Sequence, residues 1–218
     1  MKSILLTALA SAALLATAHC NIPKEGEAVT LDSLQKAEWV QGEAATTWEP
    51  GKLYVLECWA TWCGPCIASI PHIDALHDKY AGQGLKVIGV NVYEDGKDQV
   101  AEFVKKKGDG MSYPVVYTGK GSEFENAWMR SGNMSLPIPQ VHLVKDGKLL
   151  ARVNAAALTD EVVEGILKGG DAQEAVLKEM KEAQLKKMQE AKARAATAIV
   201  PATPAVPATP PTPATERK

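Results

Sequence analysis

Cys63-Gly64-Pro65-Cys66 holds two thiols one helical turn apart. At that spacing one sulfur can attack a disulfide and the other can resolve the product, so the chemistry it permits is thiol–disulfide exchange. The apolar run Leu53-Tyr54-Val55-Leu56 precedes the motif and a helical pattern follows it, which puts the first sulfur at a helix start. Unpaired backbone N–H groups and the helix dipole there favour a thiolate. Cys63 is therefore the expected nucleophile and Cys66 the resolving thiol, the two pairing as a redox-active disulfide. The rival use of C-x-x-C is half of a zinc site, which needs four ligands. No second C-x-x-C follows, and His72 and His77 fall on the helix that the motif opens, directed away from the loop. No metal is expected. Glu57 is a lone acid in an otherwise apolar strand just before the motif. Burial would disfavour its charge and let it accept the Cys66 proton near neutral pH; a sheet-edge carboxylate that reaches water is the other reading.

The elements that must position these residues follow from apolar spacing and turn residues. Leu53–Leu56 reads as a buried central strand. The helix from Cys63 runs to about Tyr80 with Ile67, Ile70, Ile73 and Leu76 on one face, Pro71 inside it and Gly82-Gln83-Gly84 after it. Leu85–Val92 is a second buried strand. Asp98 is expected to cap a helix carrying Val100, Phe103 and Val104, and Tyr113–Tyr117 to form a strand at whose edge or start Pro114 lies. Ser122–Ser131 has a short helical pattern. Strands Gln140–Lys145 and Lys148–Val153 are joined by Asp146-Gly147, a two-residue hairpin turn, and Thr159-Asp160 open a helix that Gly169-Gly170 end. The alternation of strands and helices predicts an α/β mixed central sheet with helices on both faces.

Trp59-Ala60-Thr61-Trp62-Cys63-Gly64-Pro65-Cys66, Pro71 and Ile138-Pro139 resemble the thioredoxin superfamily, specifically its exported TlpA and ResA type of thiol-disulfide oxidoreductase. The resemblance covers approximately Leu53 to Leu167. It implies a thioredoxin-like fold with an extra helix and strand before a cis-proline at Pro139, and a buried acid at Glu57. It also implies a client surface made of Trp62, Gly64, Pro65, Ile138 and Pro139, with Trp59 in the packing. Two positions depart from that type: Ser69 stands where a glutamate is common and Gln140 where threonine commonly follows the cis-proline.

The ends of the chain carry a different signal. Met1-Lys2-Ser3, the apolar Ile4–Leu15 and Ala16-Thr17-Ala18 read as a signal peptide cut after Ala18, too short to span a bilayer. Export to the periplasm or cell envelope follows. Lipidation at Cys20 is disfavoured because His19 occupies the position that wants a small residue. Cys58, in an apolar strand, is expected to be an inert buried thiol. Residues 19–170 form the domain. From Asp171 to Ala198 an Ala, Lys and Glu-rich helix of about 40 Å follows, read as a solvated spacer. Residues 199–218, with six prolines between Pro201 and Pro213, have a composition that predicts an extended, unpacked tail.

With 218 residues and a net charge of −2, the chain can bury one good core and has no electrostatic footprint for nucleic acid. The functional expectation is an exported oxidoreductase that reduces protein disulfides, needs no cofactor beyond its cysteine pair and is recharged by a membrane electron donor. The competing expectations are a disulfide oxidase or isomerase, and a non-catalytic interaction module working through its C-terminal extension.

Overall fold

A computed structural model describes residues 22–198. The expected signal peptide, Cys20 and the proline-rich segment 199–218 lie outside the described residues. Strand β1 (Glu38–Gln41) and β2 (Leu53–Trp59) come first, after a single helical turn, α1 (Asp32–Gln35). Then follow α2 (Gly64–Tyr80), β3 (Leu85–Val92), α3 (Lys97–Lys107) and β4 (Val115–Gly119). A π-helical turn, Glu125–Met129, leads into a small hairpin of β5 (Arg130–Ser131) and β6 (Met134–Ser135). Strands β7 (Gln140–Lys145) and β8 (Lys148–Val153) and helices α4 (Asp160–Lys168) and α5 (Gly170–Ala198) complete the order.

Six strands form one sheet in the order β1-β4-β3-β2-β7-β8. The adjacent strands β2, β3 and β4 are parallel, joined by crossovers through α2 and α3; β1, β7 and β8 pair antiparallel to their neighbours. This is the mixed sheet of a thioredoxin-like fold. β2 has a strand on each side, and all seven of its residues are buried, as a continuous apolar run between two covered faces requires. Its alternation sends Tyr54, Leu56 and Cys58 into one cluster with Ile88, Val90, Phe124, Trp128 and Met129. Leu53, Val55, Glu57 and Trp59 take the opposite face.

Several elements differ from the sequence reading. Beyond Glu57 and Cys58, β2 also takes in Trp59. β4 begins at Val115, so Pro114 precedes the strand; β4 is interior, because β1, four residues without clean alternation, covers its outer side. The cap of α3 is Gly96, and Asp98 sits in the first turn, where its charge favours the helix dipole without a capping bond. The Ser122–Ser131 pattern becomes the π-helical turn. The β7–β8 hairpin turns on Asp146 and Gly147, both at positive φ (51° and 70°), as a type I′ turn demands.

The compact unit that holds the sheet closes at Leu177, beyond the Gly169-Gly170 pair. The first turns of α5 therefore belong with it. Lys145 Nζ, nearly buried, donates to Ile166 O and to Gln173 Oε1 (3.2 Å), and a Cβ on Gly165 would lie 2.6 Å from Val176 Cγ1. Further along, Leu185 and Met188 are exposed.

Candidate active site

The strand β2 delivers the chain to the N-terminus of α2 through Ala60-Thr61-Trp62. Cys63 caps the helix: its N–H bonds Ala60 O (3.1 Å), its carbonyl accepts from Ile67 N (3.0 Å), and its Sγ accepts from Cys66 N (3.2 Å). Pro65 occupies the first turn, where a missing N–H costs nothing. Cys63 and Cys66 form a disulfide with Cα atoms 5.2 Å apart. Their access differs. Cys63 is 5% exposed and Cys66 is 0%. Beside them Trp62 stands 62% exposed, while Trp59 is fully buried against Phe103, ring centroids 5.2 Å apart.

Glu57 is fully buried in the central strand, which removes the sheet-edge reading. Burial pushes its carboxyl up to about 7, and a hydrogen bond from Tyr113 holds it down in part. That bond, Tyr113 hydroxyl to Glu57 Oε2, spans 3.2 Å, and Oε1 has no partner among the described residues. Gly89, the ladder partner of Glu57 on β3, makes the arrangement possible: a Cβ there would meet Tyr113 Cε2 at 2.9 Å and Trp59 Nε1 at 3.2 Å.

The sequence reading missed Glu94. This carboxylate, 2% exposed just beyond β3, accepts from Thr61 N (3.1 Å), from the Thr61 hydroxyl, from Asn91 Nδ2 (2.7 Å) and from Gln99 Nε2 (2.7 Å). It ties the loop before Cys63 to the end of β3 and the start of α3. The available signal was an acid two residues after the apolar run Leu85–Val92, just past the end of the strand parallel to β2.

The peptide bond Ile138-Pro139 is cis. Pro139 and Pro65 come together at a groove of about 440 Å³ that Ala68, Ser69, His72 and Asn154 also line. Ile138 is half-buried against the Trp128 cluster, and Gly64 is exposed with open space around it. His72 bonds Leu158 O (2.8 Å), and His142 is buried, desolvation holding its imidazole down at about 3. Burial likewise pushes the Cys58 thiol well above its ordinary value. Among the described residues no group of His, Cys, Asp and Glu is arranged to hold a metal ion, and no helix is long and apolar enough to cross a membrane.

Residues 24–165, a span that contains the β2–α2 motif, Glu94 and the cis-proline, match the Redoxin family model. The chain belongs to the Redoxin family. Within it, the chain is similar to the thiol-disulfide oxidoreductase ResA of Halalkalibacterium halodurans, 30% identical over 132 residues, 60% of this chain and 70% of that one. It is 28% identical to the ResA of Oceanobacillus iheyensis over 117 residues, 54% of this chain and 56% of that relative's length. Among solved structures, StoA from Bacillus subtilis is 22% identical with a TM-score of 0.43, covering 55% of this chain and 89% of that one. As a redoxin, the chain carries its cysteine pair at the junction of the central strand and the first long helix.

Proposed function

We propose that this redoxin is an exported thiol-disulfide oxidoreductase that reduces disulfides in client proteins. The observation that carries the reading is the Cys63–Cys66 disulfide at the start of α2, in which Cys63 caps the helix with its sulfur and Cys66 is the fully buried partner. In the reduced protein the Cys63 thiolate attacks one sulfur of a client disulfide, forming a mixed disulfide and releasing the first client thiolate. Cys66, from within, then attacks Cys63 Sγ; the Cys63–Cys66 bond forms, the second client thiolate leaves, and two electrons have passed to the client. Glu57 takes the Cys66 proton in that second step, a role that its depth and its value near 7 support. Trp62, Gly64, Pro65, Ile138 and Pro139 make the client surface, with client backbone pairing beside Cys63 in the manner of an added strand.

Direction rests on Gly64-Pro65, the pair also found in thioredoxin. A reductant in an oxidising compartment needs a supply of electrons, which a membrane donor provides. The export reading rests on residues 1–18. Titration against glutathione tests the direction: a potential below about −220 mV supports the reductase, and a value near about −120 mV, that of a strong oxidant, overturns it in favour of an oxidase. Failure of the purified domain to reduce insulin at all would favour the interaction module.

A further inference from the structure

Tyr93 has a left-handed backbone, φ 60°, directly after β3. Among the described residues only Asp146 shares this without being glycine, and the β7–β8 turn accounts for Asp146. For a bulky residue the left-handed region is costly and persists only where the surroundings impose it. The surroundings of Tyr93 are specific. Its hydroxyl lies 2.9 Å from Leu136 O and 3.2 Å from Met129 O, the two residues that close the foot of the β5–β6 hairpin through Leu136 N to Met129 O (2.7 Å). Burial pushes the phenol up to about 12, so it stays a donor across the neutral range.

The next residue is Glu94, whose carboxylate holds Thr61. The break in the strand at Tyr93 thus sends two consecutive side chains to two different segments. One holds the loop that leads into Cys63. The other holds the segment that leads, through Pro137, into Ile138 and the cis-proline. Tyr93, Leu136 and Ile138 all pack against the same apolar cluster, so the segment is anchored by side chains as well as by the phenol.

We propose that Tyr93 is a positioning residue for client binding: through Leu136 and Met129 it fixes the backbone at Ile138 against which a client strand pairs beside Cys63. This rests on the reductase reading for its functional consequence, while the positioning itself is independent of it. The phenol touches neither sulfur, so it acts on client affinity and leaves the chemistry of the pair alone.

The test compares wild type with Tyr93→Phe, which removes the donor, and with Tyr93→Asn, which adopts the left-handed conformation readily but cannot reach Leu136 O. Insulin is the protein client and 5,5′-dithiobis(2-nitrobenzoate) the small disulfide. In both variants KM for insulin should rise about three- to tenfold, the loss of one part-buried hydrogen bond, with kcat, the potential and the small-disulfide rate unchanged. Amide exchange should quicken at Leu136 and Ile138 and stay unchanged in β2. An unchanged insulin KM, an equal loss on both substrates, or unaltered protection at Leu136 and Ile138 would overturn the proposal. If wild type reduces the small disulfide but not insulin, the client reading falls, and amide exchange still decides whether Tyr93 positions the segment.

Discussion

The Tyr113 hydroxyl donates to Glu57 Oε2 across 3.2 Å, through space that exists because residue 89 is glycine. One hydrogen bond against complete burial leaves the carboxyl at about 7, where a solvated one sits at 4.5. The folded protein therefore keeps a proton through a pH window in which the unfolded chain has released it. Stability is greatest below 4.5, falls as pH rises towards 7, and above that the fold carries a buried carboxylate.

Glu57→Gln should remove this slope. The cost above neutral pH is on the order of 3 kcal/mol, so the variant should be more stable than wild type by a comparable amount at about pH 8 and nearly equal to it at about pH 4. Urea unfolding of the oxidised proteins at both pH values checks this; parallel curves for the two would mean that Glu57 does not titrate in this range. Tyr113→Phe should move the fall in stability to higher pH, since the bond it removes lowers the Glu57 value.

The two single cysteine variants should behave differently. Cys66→Ser should accumulate mixed disulfides with clients through Cys63, while Cys63→Ser should trap almost none and lose turnover, because Cys66 is fully buried. Non-reducing gels with insulin measure the difference. Equal trapping by both would reverse or abolish the assigned roles.

Removing the Glu94 side chain takes the acceptor from Thr61 and from the buried Asn91 at once, and releases exposed Gln99 to water. Glu94→Ala should cost about 3 kcal/mol, since one buried side chain accepts four hydrogen bonds at once. The expected result is a lower urea midpoint together with faster alkylation of Cys63 in the reduced protein as the Thr61 loop loosens. A loss of stability with no change in alkylation would make Glu94 a structural residue alone.

Truncation should find a boundary inside α5. A chain ending at Leu177 should keep the melting temperature and insulin reductase activity of the full chain. One ending at Gly169 loses Gln173 from Lys145 and Val176 from Gly165, and should be less stable by about 1–2 kcal/mol. Equal melting temperatures for the two truncations would put the boundary back at the glycine pair.

The legible part of this fold was local. β3, β7, β8 and α4 follow from apolar runs, an Asp-Gly turn and a Thr cap, each within a few residues of the signal that marks it. Glu57 stood out because an acid contradicts its strand. Glu94 and Tyr93 did not, because their roles lie in partners far along the chain: Thr61 is 33 positions from Glu94, and Leu136 is 43 from Tyr93. β1 escaped for a similar reason, being four residues whose strand character comes from pairing with β4. The π-helical turn keeps a helical apolar pattern, and a pattern of that length does not distinguish the wider turn from an ordinary one.

Cys58 lies on the same strand as Glu57 but faces the other way, in a cluster in which neither Cys63 nor Cys66 takes part. Its thiol, kept protonated by burial, is a poor nucleophile. A third sulfur five positions from the reactive one would otherwise short-circuit the pair, drawing Cys63 into an internal bond and stranding Cys66 as a thiol. The one-residue alternation of a β-strand insulates the circuit: among the described residues, every electron pair that leaves Cys66 has Cys63 as its only internal acceptor.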